Sequence, residues 1–269
     1  MKNLLFSLVT IALCLTLHAE EKLTLKGSNT LGAKLMPKLS EAYRATGKKV
    51  KFSISAEGSS TAFPSLLNGK ADIGMSSRKI TAQESAMFRG KGAGLSQTLL
   101  CMDGIAVIVN ATNPVKALTK AQVRQILSGE ITDWSAVGGS HAPIAVFTRN
   151  ATSGTYMELQ RLAMAQRSEA PAARKMAGNE QIASKVAKTT NGIGYVSLAF
   201  SHQAGTKTLP IDGVLPDEKA IRSLKYSYCR EVYLYTTKAA SAAAKDFITF
   251  CSSPSALRVI RETGFVTSK

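Results

Sequence analysis

The sequence predicts an α/β protein of two lobes, and three observations predict it. Short apolar strands alternate with helical segments through the N-terminal third and again through the middle of the chain, the pattern of a sheet covered by helices. Two further apolar segments, Gly104 to Val109 and Arg230 to Thr236, are long enough to pass from one such unit to another. Three times, a strand leads through a turn of Gly, Ser and Thr into a helix.

Leu23 to Leu25 is the first strand, and a helix follows it towards Gly47. Val50 to Ser55 reads as the second strand, Thr61 to Leu67 as a short helix and Ala71 to Met75 as the third strand. Leu99 to Asn110 contains the first crossing strand, after which Asn113-Pro114 turns the chain. Thr119 caps a helix from Lys120 to Ser128, in which Val123, Ile126 and Leu127 share one apolar face, and Gly129 stops it. The second unit holds a strand from Pro143 to Phe147, helices from Gly154 to Gln166 and Asn179 to Lys188, and a strand from Gly194 to Leu198. Thr155 and Glu158 stand in capping-box spacing. Beyond the second crossing strand, Ala239 to Cys251 and Pro254 to Glu262 read as helices that return to the first lobe.

The three turns carry the chemistry. They are Gly27-Ser28-Asn29-Thr30-Leu31, Glu57-Gly58-Ser59-Ser60-Thr61, and Thr148-Arg149-Asn150-Ala151-Thr152-Ser153-Gly154-Thr155. Ser and Thr are favoured at helix N-termini whatever the function, so one such turn carries little weight. Two of these hold more hydroxyls than capping uses, and the third sets a guanidinium beside them. Free backbone N–H groups, the helix dipole, hydroxyls and one arginine together favour an anion.

Composition narrows the classes. The chain has 269 residues, 45% of them hydrophobic, enough for one large domain or two ordinary ones. Its net charge is +16, from 34 Lys and Arg against 18 Asp and Glu, yet the basic residues are spread out and aromatics make up only 6%. Nucleic-acid binders concentrate charge in a stripe or arm with stacking aromatics. A diffuse positive field steers small anions instead. Residues 1–19 have a short basic start and an apolar core ending at Leu17-His18-Ala19, which reads as a secretory signal cut after Ala19. Leu13 is too bulky for lipoprotein processing at Cys14, so an exported protein without stable membrane insertion is expected, periplasmic or secreted. Three histidines and scattered cysteines lack metal-ligand spacing, so neither a metal nor a cofactor is expected. Cys101 and Cys229 each open a crossing strand. A disulfide stapling the hinge and two buried free thiols are equal alternatives for them.

The turns, with Ala71-Asp72-Ile73-Gly74-Met75-Ser76-Ser77, Asp103-Gly104-Ile105-Ala106-Val107-Ile108-Val109-Asn110, Leu127-Ser128-Gly129-Glu130-Ile131-Thr132-Asp133-Trp134 and Gly192-Ile193-Gly194-Tyr195-Val196, resemble the periplasmic phosphate-binding proteins (PstS-type) that serve ABC transporters. The resemblance spans essentially the whole chain beyond residue 19. It implies a two-lobed periplasmic-binding-protein fold of type 2, two α/β domains joined by two hinge strands. Lobe 1 would comprise residues 20–107 and 231–269, and lobe 2 residues 108–230. The implied ligand is one phosphate, held without chemistry by a monomer, with ABC-transporter permease subunits as partners. The implied phosphate ligands are Ser28, Thr30, the Leu31 backbone, Ser59, Ser77, Arg149, Ser153, Gly154 and Thr155.

Two departures accompany the resemblance. The pattern's aspartate after Ser76, which accepts the proton of bound phosphate, is Ser77 here. The aspartate that orients the arginine from two residues downstream is Ala151. Glu57 could replace either acid or be a solvated loop carboxylate, and Arg78 could charge the rim or form a surface ion pair. Sulfate and arsenate therefore stand as alternative ligands, and a secreted adhesion protein on the same fold as the alternative function. A phosphate-ester hydrolase would need a metal cluster or an assigned base.

Overall fold

The computed structural model describes residues 21–165 and 167–267; the expected signal segment, residues 1–19, lies outside them. One continuous sheet runs through the molecule in the order β2-β1-β3-β9-β4-β7-β5-β6, with β8 also on β4. The strands are β1 (Glu21–Gly27), β2 (Val50–Ser55), β3 (Ile73–Ser76), β4 (Leu95–Asn110), β5 (Ala145–Arg149), β6 (Arg174–Met176), β7 (Gly192–Ser197), β8 (Thr206–Thr208) and β9 (Cys229–Thr237). β1 is parallel to β2 and β3, and β5 to β6 and β7. Between these parallel groups lie the antiparallel pairs β3–β9, β9–β4 and β4–β7.

β4 joins the two halves. Its residues Leu95 to Gly104 pair with β9, and Ile105 to Val109 pair with β7. The core changes along the same strand. Leu100 and Cys101 pack with Leu25, Met75, Leu234 and Phe247, whereas Ile105, Val107 and Val109 pack with Ile126, Trp134 and Tyr195. A two-lobed α/β architecture follows, with β4 and β9 as the crossing strands. A third link is the turn Leu198–Phe200, whose Ala199 joins the first core and whose carbonyl there accepts from Lys34 Nζ.

The helices follow their caps. α1 (Met36–Arg44) is entered through a wider, π-type turn at Leu31–Leu35, and α2 (Ala62–Leu67) follows the second Gly/Ser/Thr turn. α3 (Ala82–Gly90) and α4 (Lys120–Ser128) open on complete capping boxes, Thr81 with Glu84 and Thr119 with Gln122. Gly129 ends α4 at φ 80°. α5 (Gly154–Leu159) continues as a π-type turn to Met164 and stops at Ala165, at φ 47°. α6 (Asn179–Ala187), α7 (Glu218–Arg222), α8 (Ala242–Phe250) and α9 (Pro254–Glu262) complete the set.

One detail differs from expectation, and one open alternative is decided. The cap of α5 is Ser153, whose Oγ accepts from Tyr156 N, and Glu158 pairs with Arg161 instead of forming a box with Thr155. Thr155 lies inside the helix with its hydroxyl turned to the other lobe, so it has no free side chain for a cap. The Cys101–Cys229 bridge does not form. The β4–β9 register sets Cys229 against Gly104 and Cys101 against Val232, three strand positions apart, and both thiols are free. Among the described residues no helix is long and apolar enough to cross a membrane.

Candidate functional site

The first two turns are brought together by backbone bonds at the end of the parallel strands. Ser28 N donates to Met75 O at 2.8 Å, and Gly58 N donates to Gly27 O at 2.7 Å. Gly58 sits at φ 124°, and a Cβ there would stand 2.6 Å from the Thr152 carbonyl of the other lobe. Only glycine combines that backbone with that approach. Ser28, Thr30, Leu31 and Ser59 are buried here, with Ser77 beside them at the end of β3. Ser59 Oγ accepts from Ser77 N at 3.0 Å and lies 3.2 Å from Ser77 Oγ.

The third turn meets them from the second lobe. Ser153, Gly154 and Thr155 are buried at the N-terminus of α5. Thr155 Oγ1 lies 3.1 Å from Thr30 Oγ1, Ser60 N donates to Thr152 O at 3.1 Å, and Thr152 Oγ1 donates to Glu57 O at 3.0 Å. Asn179, at the start of α6, donates from N and Nδ2 to Asn29 Oδ1 at 2.9 and 2.8 Å. The cleft is therefore closed, and it brings Thr30, Ser59, Ser77, Gly154 and Thr155 into contact, with Ser28, Leu31 and Ser153 beside them in sequence.

Two guanidiniums are buried there. Arg149 is 1% exposed. Its Nη2 donates to the Ala177 carbonyl at 2.8 Å, while Nε and Nη1 have no hydrogen-bond partner among the described residues. Burial, reinforced by the positive charge of Arg230, pulls its pKa down to about 10, which leaves it cationic at neutral pH. No carboxylate is hydrogen-bonded to it among the described residues, Glu180 acting only through space, and a buried cation costs on the order of several kcal/mol unless an anion compensates it. Ser28 Oγ is likewise buried and unpartnered among the described residues. Arg230, at the start of β9, is the second cation. It pairs with Asp103 at 2.6 Å and reaches Thr155 Oγ1 at 2.9 Å and Thr30 Oγ1 at 3.3 Å. Burial pushes the Asp103 carboxyl up, and the Arg230 guanidinium offsets only part of that rise.

This arrangement is matched in known proteins. Residues 17–255 match the PBP superfamily domain. The phosphate-binding protein PstS of Pseudomonas aeruginosa is 30% identical over 263 residues, covering 89% of this chain and 81% of that protein. The chain belongs to the PstS family. The PstS of Borreliella burgdorferi is 26% identical over 260 residues, 93% of this chain and 91% of that protein. Among solved structures, a putative phosphate ABC transporter substrate-binding protein from Clostridium perfringens, with bound phosphate, superposes with a TM-score of 0.86 at 27% identity, over 93% of this chain and all of that one. An ABC-type phosphate transport receptor from Vibrio cholerae gives a TM-score of 0.74 at 29% identity, over 91% and 99% of the two chains.

The departures from the PstS pattern now have structural outcomes. Ala151 cannot orient Arg149, and the Ala177 carbonyl does so from the loop before α6. Glu57 replaces neither acid: it is exposed, with its carboxylate taken by Ser55 Oγ at 2.6 Å. Arg78 is 3% exposed and forks onto Glu84 at 2.6 and 2.8 Å, stacked over Phe63 at 5.3 Å. It is a buried, neutralised pair and not a charge on the rim. Arg230, Asp103 and Asn179 escaped the sequence reading, because their partners at the site lie 75 to 200 residues away. One signal was available: Asp103 and Arg230, opposite in charge, stand at the starts of the two apolar crossing segments, Gly104 to Val109 and Arg230 to Thr236. Among the described residues no group of His, Cys, Asp and Glu is placed to hold a metal.

Proposed function

We propose that this chain captures one inorganic phosphate between its lobes and delivers it to an ABC-type permease from outside the cytoplasmic membrane. Arg149 carries the proposal: a buried guanidinium, with two nitrogens unpartnered among the described residues, ends the strand that leads into the Ser153-Gly154-Thr155 turn. Thr30, Ser28, Ser59 and Ser77 on one side, and Ser153, Gly154 and Thr155 on the other, would replace the hydration of the anion, and Arg149 would answer its charge. On this reading, in keeping with the substrate-binding family, the ligand leaves as it entered. The relatives named for phosphate binding, and the phosphate-bound Clostridium structure, support the same ligand.

The proposed division places residues 20–107 and 231–269 in one lobe and 108–230 in the other, with β4 and β9 bending between them. Closure would then be coupled to the anion through its differential affinity for the closed state. The test is calorimetric titration of the purified chain, freed of bound anion, with phosphate, sulfate and arsenate. Saturation by phosphate at one per chain is expected. Heat from neither phosphate nor the other oxyanions, at two temperatures, would contradict the proposal.

A further inference from the structure

Arg230 lies beneath the meeting point of the lobes, and its fork is divided between two tasks. Nε and Nη2 donate to Asp103 Oδ2 at 3.0 and 2.6 Å, while Asp103 Oδ1 accepts from Ser197 Oγ at 2.9 Å. On the site side, Nη1 donates to Thr155 Oγ1 at 2.9 Å and Nη2 to Thr30 Oγ1 at 3.3 Å, with the Ser77 carbonyl 3.4 Å from Nη1. Asn179 Nδ2 also donates to Thr30 Oγ1, at 3.3 Å.

A hydroxyl has one proton to give and two lone pairs to offer. Thr30 Oγ1 accepts from Arg230 and from Asn179, so both its lone pairs are used. In the 3.1 Å contact between the threonines, Thr30 must therefore be the donor. Thr155 Oγ1 then accepts from Arg230 and from Thr30, and its own proton can only point outward. Thr30 Oγ1 is thereby saturated and only Thr155 keeps a hydroxyl proton to give, so neither threonine can take a proton from a ligand. The serine pair differs. Ser59 Oγ already accepts from Ser77 N, and Ser77 Oγ keeps at least one lone pair whichever way the 3.2 Å serine–serine contact runs.

On the phosphate reading, we propose that Arg230, anchored by Asp103, is a positioning residue that sets oxyanion selectivity. It saturates Thr30, fixes Thr155 as a donor that suits only an unprotonated oxygen, and leaves Ser77 to read the proton of hydrogenphosphate. Sulfate has four unprotonated oxygens and no proton to place, so the threonine side suits it at least as well as phosphate. The lock therefore favours sulfate relative to phosphate.

Arg230→Lys separates this role from a structural one. Lysine keeps a cation against Asp103 but lacks the fork that reaches both threonines. Freed hydroxyls can turn a lone pair to phosphate but gain nothing with sulfate. Competition titrations of wild type and variant should show sulfate weakened tenfold or more and phosphate by a smaller factor. The phosphate-to-sulfate affinity ratio should rise at least threefold. If Arg230→Lys has no cooperative thermal transition, the neutral pair Asp103→Asn with Arg230→Gln should show the same rise. Equal losses for both anions, or none, would overturn the positioning role while leaving the phosphate reading intact. A wild-type protein that binds neither anion would overturn both.

Discussion

Gly154→Ala places one methyl group where the lobes meet. At the head of α5 a Cβ would stand 2.6 Å from Ser77 Oγ and closer still to Ser59 Oγ, with Ser59 Cβ at 2.9 Å. Turning the two hydroxyls relieves the first contacts but not the last, so backbone or lobe must shift. Overpacking of this kind costs about 1–3 kcal/mol. The atoms it strikes belong to the opposite lobe, so the cost falls on the closed form alone and appears in binding. Phosphate affinity should drop roughly five- to 150-fold, taking about 1.4 kcal/mol per decade. The ligand-free protein should not suffer. Gly154 is not at positive φ, and replacing such a glycine stabilises by about 0.4–1 kcal/mol through the unfolded chain. Calorimetry and thermal melts with and without phosphate read both halves: an unchanged or higher Tm alone, and a smaller shift with ligand. A variant that binds phosphate as tightly as wild type would refute the idea that the anion is held by lobes meeting at Gly154.

Arg149→Ala should weaken phosphate binding by roughly one and a half to three and a half decades, since truncating one partner of a buried charged pair costs roughly 2–5 kcal/mol; a loss under threefold in titration would place the site elsewhere. Ser77→Asp should sharpen selectivity for phosphate, because a carboxylate accepts the phosphate proton and repels sulfate; unchanged sulfate competition would contradict the position assigned to Ser77. Glu169 gives a pH signature. Burial pushes its carboxyl up, only partly offset by bonds from Thr148 and Tyr195. The folded chain thus holds a proton that the unfolded chain releases, and stability falls as pH rises from the unfolded value through the folded one. Glu169→Gln should remove that decline, so its Tm advantage over wild type should grow from acidic to neutral pH. A pH-independent difference would count against the assignment.

Much of this was readable because the local signals agreed with the final packing. β1 and β2 alternate apolar with polar residues, β3 is largely apolar, and all three end in turns whose Gly and Ser have few other uses, so their positions carried over to the structure within a residue or two. α3 was missed although Thr81 and Glu84 spell a capping box, because Ala82–Gly90 is polar and buries only Phe88. β6 and β8 have three residues each and take their form from the neighbours they pair with, so no local pattern announces them. At the site, hydroxyls and Arg149 were legible as residue types in a turn. The Ala177 carbonyl that aims Arg149 could not be, since every residue carries a carbonyl and only the fold selects one. Arg230 likewise acquires its role from β4–β9 register, which sets it directly against Asp103.

The central claim is that a single phosphate holds the two lobes together, and small-angle scattering tests it most directly. The protein would be stripped of bound anion by unfolding and refolding, then measured with and without saturating phosphate. A smaller radius of gyration with phosphate is expected, and Arg149→Ala should not show it at the same concentration. A wild-type radius that phosphate leaves unchanged would contradict the account.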